Sequence, residues 1–342
     1  MIPIYRPSIR RLEMDAVLSS LVDDRLSDGP VSRDFAKELK DFFQADFCSL
    51  LRDYERGIAL ALRSLGLEAG RGVLVSPLAP ASYARVIEEE GYKPVLADVT
   101  PDSMTLDISR VQELLQHEDV GALVADSPFG YAPSIAELRE LGVPIIEDVS
   151  SNLGFRAAED SSGIYGDILL LRMEAGDVIT VGGGMAVLST RRKYSSAMRG
   201  IIENWPVYRF LSDMNSSLGR SQLKNLPESL EKREEIYRLF ISAIRKGRHT
   251  TPVPPAEGGE HVHHYFPVFV RGPVKEVQNY AKKKGVATFP AFADSIIAQD
   301  GNNVDTVPGA KQIYKRCLLF PLYPLLSTRE LETMSRILSS LP

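Results

Sequence analysis

The sequence predicts an α/β protein: a doubly wound, mostly parallel sheet in a large domain, followed by a smaller C-terminal α/β domain. Three observations carry this. Short runs of branched apolar residues recur between positions 72 and 171, the pattern of strands buried on both faces. Segments of helical length separate them, and strand–helix–strand alternation with right-handed crossovers builds a parallel sheet. The length of 342 residues, 44% hydrophobic and 25% charged, suits a globular chain with two cores.

The elements follow in order. Residues 1–30 read as an extended arm, a helix over about 10–23 and a polar loop. A second helix spans about 32–44, with Ser32 as its N-cap. Strands are predicted at 72–76, 94–97, 122–125, 143–146 and 168–171, with helices at 80–91, 108–116 and 133–141 between them. The apolar triplet 186–188 follows Gly182, Gly183 and Gly184 and reads as a further strand beside 168–171, the glycines making the tight turn before it. A long helical stretch over 215–246 is interrupted at Pro227, and Gly and Pro mark 247–260 as a loop. A strand (262–270), a helix (273–284), a strand (286–289) and a last helix (327–339) complete the smaller unit. The chain divides into domains at 1–246 and 247–342.

Composition narrows the function. The formal charge of −5 gives no basic field for nucleic acid or anionic membrane. Cys48 and Cys317 are too few for a disulfide framework. No apolar run is long enough to span a membrane and the N-terminus has no leader pattern, so the cytoplasm is expected. His261 and His263 share one face of a strand and His264 takes the other, with only Glu257 and Glu260 nearby, so no metal site is predicted. Glu147, Asp148 and Asp167 offer carboxylates near strand ends for acid–base chemistry.

A set of short motifs then gains meaning from its order: residues 2–8 (Ile-Pro-Ile-Tyr-Arg-Pro-Ser), 26–30 (Leu-Ser-Asp-Gly-Pro), 94–99, 143–148, 166–168, 182–185, 218–223 and 319–324. In this order the chain resembles, over nearly its whole length, the DegT/DnrJ/StrS family of sugar aminotransferases. These are fold-type-I enzymes that use pyridoxal phosphate. The resemblance implies that fold, a homodimer with its site at the subunit interface, and nucleotide-sugar substrates of surface-polysaccharide or secondary-metabolite pathways.

The resemblance also assigns site positions, and most hold unexpected residues. The Schiff-base lysine falls at Gly176 or Asp177, and no lysine occurs between Lys93 and Lys193. The phosphate-binding turn matches residues 52–56, where Asp53 and Glu55 oppose a phosphate. A phosphate-contacting serine matches Arg172, the asparagine lent by a neighbouring subunit falls near Tyr208, and the ring-stacking aromatic matches Pro80. Asp148 alone keeps its place, as the partner of the pyridine nitrogen at a strand end. Arg52, Arg56 and Arg172 are candidates for binding an anion directly.

From these positions the sequence predicts no bound cofactor and no transamination. It predicts a nucleotide-sugar- or anion-binding protein, or a partner protein, as a homodimer or paired with an intact paralogue. Two alternatives are an enzyme with a different reaction in the same cleft through Asp148, and a pyridoxal-phosphate aminotransferase with an unusual site.

Overall fold

The computed structural model describes residues 1–154, 166–253, 261–299 and 306–342. Seven strands form the main sheet: β1 (Phe47–Leu51), β2 (Gly72–Val75), β3 (Lys93–Leu96), β4 (Val120–Asp126), β5 (Ile145–Asp148), β6 (Ile168–Arg172) and β7 (Met185–Ser189). Their spatial order is β1-β7-β6-β5-β4-β2-β3, and β7 alone runs antiparallel to its neighbours. Successive residues alternate between faces, as strand geometry demands. Val73, Val75, Val124 and Ile146 enter one core with helices Tyr54–Leu65, Ala81–Glu89 and Arg192–Ile202. Leu74, Leu123, Ala125 and Ile145 enter another beside helices Ile108–His117 and Ile135–Glu140.

A second sheet holds β8 (Phe266–Phe269), β9 (Phe289–Pro290) and β10 (Cys317–Phe320) in the antiparallel order β8-β10-β9. Its core takes Ile2 from the arm and Ile236, Phe240 and Ile244 from helix Leu226–Ile244. Arg233 of that helix is buried and donates to three carbonyls, those of His263, His264 and Leu322, at 2.9–3.1 Å. Burial lowers its guanidinium to about 10.

Several boundaries differ from expectation for local reasons. Ser32 is not the N-cap: the helix is Pro30–Phe43 with Gly29 as cap, because Pro30 has no N–H to lose and a preset φ. The Ser32 hydroxyl instead accepts from Gly29 N–H at 2.9 Å and donates to Asp213 Oδ1 at 2.6 Å. The stretch 215–246 is two helices, Asp213–Lys224 and Leu226–Ile244, with Pro227 in the first turn of the second. The strand expected at 262–270 shrinks to β8, because its leading carbonyls are taken by Arg233.

Candidate functional site

The C-terminal ends of the parallel strands open into a cleft of about 400 Å³. Asp126 closes β4 and Asp148 closes β5, directly opposite each other in the ladder. Arg172 closes β6. Tyr5 of the arm, Phe129, Tyr265 and Phe292 supply aromatic walls. Phe129 stands 5.1 Å from Phe292 and 6.0 Å from Tyr265, centroid to centroid.

Asp148 lines the cleft with its acceptors occupied. The hydroxyls of Tyr54 and Tyr83 each donate to Oδ2 at 2.8 Å. Ser150 donates to Oδ1 through its amide, at 3.0 Å, and its hydroxyl. Burial, then the Asp148 charge, raises both phenols well above their ordinary values, so they act as neutral donors.

Arg172 forms a bidentate pair with Asp177, Nε to Oδ2 at 3.0 Å and Nη2 to Oδ1 at 2.9 Å. Its guanidinium carbon lies 5.5 Å from the Tyr54 ring centre. Asp177 also accepts from the Glu174 amide at 2.7 Å. The neighbouring Gly176 carbonyl accepts from His264 Nε2 at 2.6 Å, leaving Nδ1 to accept from the Ser151 hydroxyl at 3.1 Å. Burial, then Arg233, lowers His264 to about 3, so the ring is neutral.

Of the three arginines singled out from sequence, Arg172 lines the cleft and the other two do not. Arg52 lies on the surface with Nε on the Phe210 carbonyl at 2.9 Å. Helix Tyr54–Leu65 begins here, and its N-cap Asp53 accepts from the Arg56 amide at 2.9 Å. The helix end that would cradle a phosphate is thus capped by the chain's own carboxylate. Glu55 is turned outward onto Arg85. Pro80 lines the cleft and caps helix Ala81–Glu89. Tyr208 is exposed on the surface.

The other carboxylates diverge. Glu147 points to the opposite face, where it accepts from the Gly166 amide at 2.8 Å, and burial raises it to about 7. Asp167 pairs with Arg191 at 2.9 Å. His263 Nε2 lies 2.6 Å from Glu234, and its ring stacks on Tyr237 at 3.6 Å. Among the described residues no group of three or more His, Cys, Asp and Glu could hold a metal; Glu257 and Glu260 lie outside the described residues. Tyr54, Tyr83, Asp126, Phe129 and Phe292 are site residues that sequence reasoning missed. Of these only Asp126 carries a sequence signal, an acid at the end of an apolar strand.

The residues present do not fit a lysine-anchored pyridoxal phosphate. Among the described residues no lysine lines the cleft, Asp148 is already filled with donors, and the N-terminus of helix Tyr54–Leu65 is capped.

Comparisons with known proteins set that result in context. The DegT/DnrJ/EryC1/StrS aminotransferase family profile matches residues 7–339. A dTDP-4-dehydro-2,3,6-trideoxy-D-glucose 4-aminotransferase of Saccharopolyspora spinosa is 24% identical, covering 98% of this chain and 95% of its own. A sugar aminotransferase of Streptococcus pneumoniae in its pyridoxamine-phosphate form superposes with a TM-score of 0.89 at 18% identity, covering 99% of this chain and 97% of that one. The E. coli GDP-4-keto-6-deoxy-D-mannose-3-dehydratase, with bound hydrated pyridoxal phosphate, gives 0.87 at 14% identity, with 99% of both chains covered.

These relatives correct the expectation that no cofactor is held. Pyridoxamine phosphate and the hydrated aldehyde have no bond to a lysine, so a missing lysine does not remove the cofactor from this fold. The fold, the motif order and the profile agree: the chain belongs to the DegT/DnrJ/EryC1/StrS aminotransferase family.

Proposed function

We propose that this chain is a nucleotide-sugar-binding member of its family that forms no lysine bond to pyridoxal phosphate and does not transaminate. The observation that carries this reading is Asp177. The resemblance calls for an amine nucleophile at position 176 or 177, and these hold Gly176 and an acidic side chain that Arg172 binds bidentate. A carboxylate cannot form that covalent link, and no lysine lies between positions 93 and 193 to replace it. Any pyridoxal or pyridoxamine phosphate taken up by the cleft is held without such a bond. The chain then acts as a binding or partner protein of sugar-nucleotide metabolism.

The names of relatives support a nucleotide-sugar ligand, and the aromatic walls suit the apolar face of a sugar ring. The Arg172 side chain is 30% exposed and keeps free N–H groups beside its pair with Asp177, so it is the cation offered to a diphosphate. Arg52 and Arg56 would meet such an anion only outside the cleft. Asp148 has no free acceptor to serve as the base of a different reaction. The exposed apolar residues Leu12, Leu18, Leu21 and Val22 on helix Arg11–Val22 support a dimer, with a second copy or with an intact paralogue. We place the protein in the cytoplasm; among the described residues no helix is long and apolar enough to cross a membrane.

The test is a titration of the purified protein with pyridoxal phosphate, followed by the visible absorption band, borohydride reduction and intact mass. The expected result is no covalent adduct in the cleft, with nucleotide sugars still bound by calorimetry. An adduct at a single cleft lysine overturns the reading and returns transamination.

A further inference from the structure

The cleft is closed differently on its two sides. Beyond the end of β2, the turn 77–81 is bonded directly to the chain that follows β9. The amides of Ala81, Ile296 and Ile297 donate to the carbonyls of Asp294, Ala79 and Pro77 at 2.9–3.0 Å. That wall is fixed. Beyond the end of β6, three strands away in the sheet, the cover is the N-terminal arm, whose Ile4 and Tyr5 line the cleft.

The arm is anchored at both ends and unbonded between them. At one end Ile2 pairs with Val286. Its amide donates to the Gly285 carbonyl at 2.7 Å, and its carbonyl accepts from the Ala287 amide at 2.9 Å. Its side chain, 7% exposed, enters the core of the small sheet. At the other end the Ser8 carbonyl accepts from Gln222 Nε2 of helix Asp213–Lys224 at 2.8 Å, and the Arg10 amide donates to the buried Glu13 at 2.9 Å. Among the described residues no hydrogen bond is made by residues 3–7. Pro3 and Pro7 fix their own φ and hold Ile2 and Arg6 extended, so the span is stiff although unbonded. Tyr5, 44% exposed, rests its ring on the turn at Gly176, where a Cβ would lie 3.5 Å from Cδ1.

We propose that residues 3–7 form a strap that gates the cleft. With both anchors in place, Tyr5 lies against the Gly176 turn and shuts the β6 side. The strap swings out to admit a small molecule and then returns. Its prolines leave the detached strap little conformational freedom to lose, so closure costs little entropy. The device acts on access and is independent of what the cleft binds.

The experiment places a thiol reporter inside the cleft. Ser127 is 4% exposed and lines it, and its hydroxyl has no partner among the described residues, so Ser127→Cys loses no hydrogen bond. The reaction of this variant with dithiobis(nitrobenzoate) is followed over time, and labelled positions are assigned by peptide mass. Cys317 of β10, 2% exposed, reports unfolding. Pro3→Gly with Pro7→Gly frees the detached strap and leaves both anchors. It should speed labelling at position 127 about tenfold, the sum of two such entropy changes, with Cys317 unchanged. Tyr5→Ala, which alters an exposed residue, should speed it as well and decides the matter if the glycine pair fails to fold. A rate at position 127 within about twofold of the parent in either folded variant overturns the strap. So does an equal acceleration at Cys317, which marks general unfolding in place of a local opening.

Discussion

Asp126→Asn should make the protein more stable in alkali, not less. Burial, and after it the Asp148 carboxylate, pushes the Asp126 carboxyl from 3.8 up to about 7. In the unfolded chain it titrates near about 3.9. Between those values the folded state holds a proton that the unfolded state has released. Stability therefore falls as pH rises through that window, and the loss is complete above the folded value. The whole displacement corresponds to about 4 kcal/mol, and residual solvent contact at the cleft makes about 2–4 kcal/mol the expected effect. Asparagine has the same shape and stays neutral. The variant should match the parent near about pH 4 and exceed it by that amount at about pH 8.5. Urea unfolding across this range, read as midpoint shifts at constant slope, measures the difference. Glu147, also raised to about 7, is common to both proteins and cancels. A difference that does not vary with pH, or a weaker asparagine variant in alkali, would refute the claim that burial and the Asp148 charge hold the Asp126 carboxyl protonated in the fold.

Arg233→Met should cost about 3 kcal/mol or more in urea unfolding, because three buried carbonyls lose their shared donor. It should also loosen His264, next to the cleft residue Tyr265, visible as faster amide exchange near Gly176. Glu234 is held down to about 2, chiefly by its bond to His263; the stability it confers is present above its ordinary value and lost as pH falls through about 2, so the penalty of Glu234→Gln in thermal melts should fade with acidification. Gly130→Ala should not yield folded protein, since φ is +97° and a Cβ would lie 1.6 Å from the Val262 carbonyl oxygen. In a double-mutant cycle, Asp177→Lys should be strongly destabilising beside Arg172, and adding Arg172→Ser should recover about 1–3 kcal/mol; strictly additive melting shifts would contradict the pairing.

The sheet was legible where burial leaves a continuous apolar run. β2, β4, β5 and β6 are such strands, β3 is a half-buried edge strand that keeps the run Pro-Val-Leu, and their order along the chain announces the parallel topology. β1 was not, because Cys48 and Ser49 interrupt its apolar character, and β10 follows directly on a helix without a turn residue. The site divides in the same way. Asp148 was found because the resemblance assigns its place, at the end of a strand, to the partner of the pyridine nitrogen. Asp126 ends β4 in the same way, but no motif of the resemblance names it and the predicted strand stopped at Ala125. Tyr54 and Tyr83, 94 and 65 residues from Asp148 in the chain, have no local signature at all.

The arginines show a different limit. Three cations at positions assigned to one phosphate site invite a cluster. Asp53 caps the helix on which Arg56 sits, Arg52 bonds the Phe210 carbonyl, and Arg172 alone lines the cleft. The Arg172–Asp177 pair was visible as two separate oddities, an arginine for a serine and an acid for a lysine. In space they are one change. Arg172 neutralises Asp177, which is 2% exposed and would otherwise be a buried, unpaired ion. A lysine at position 177 alone would put a second cation beside Arg172 and leave both without the carboxylate that now pairs with the guanidinium.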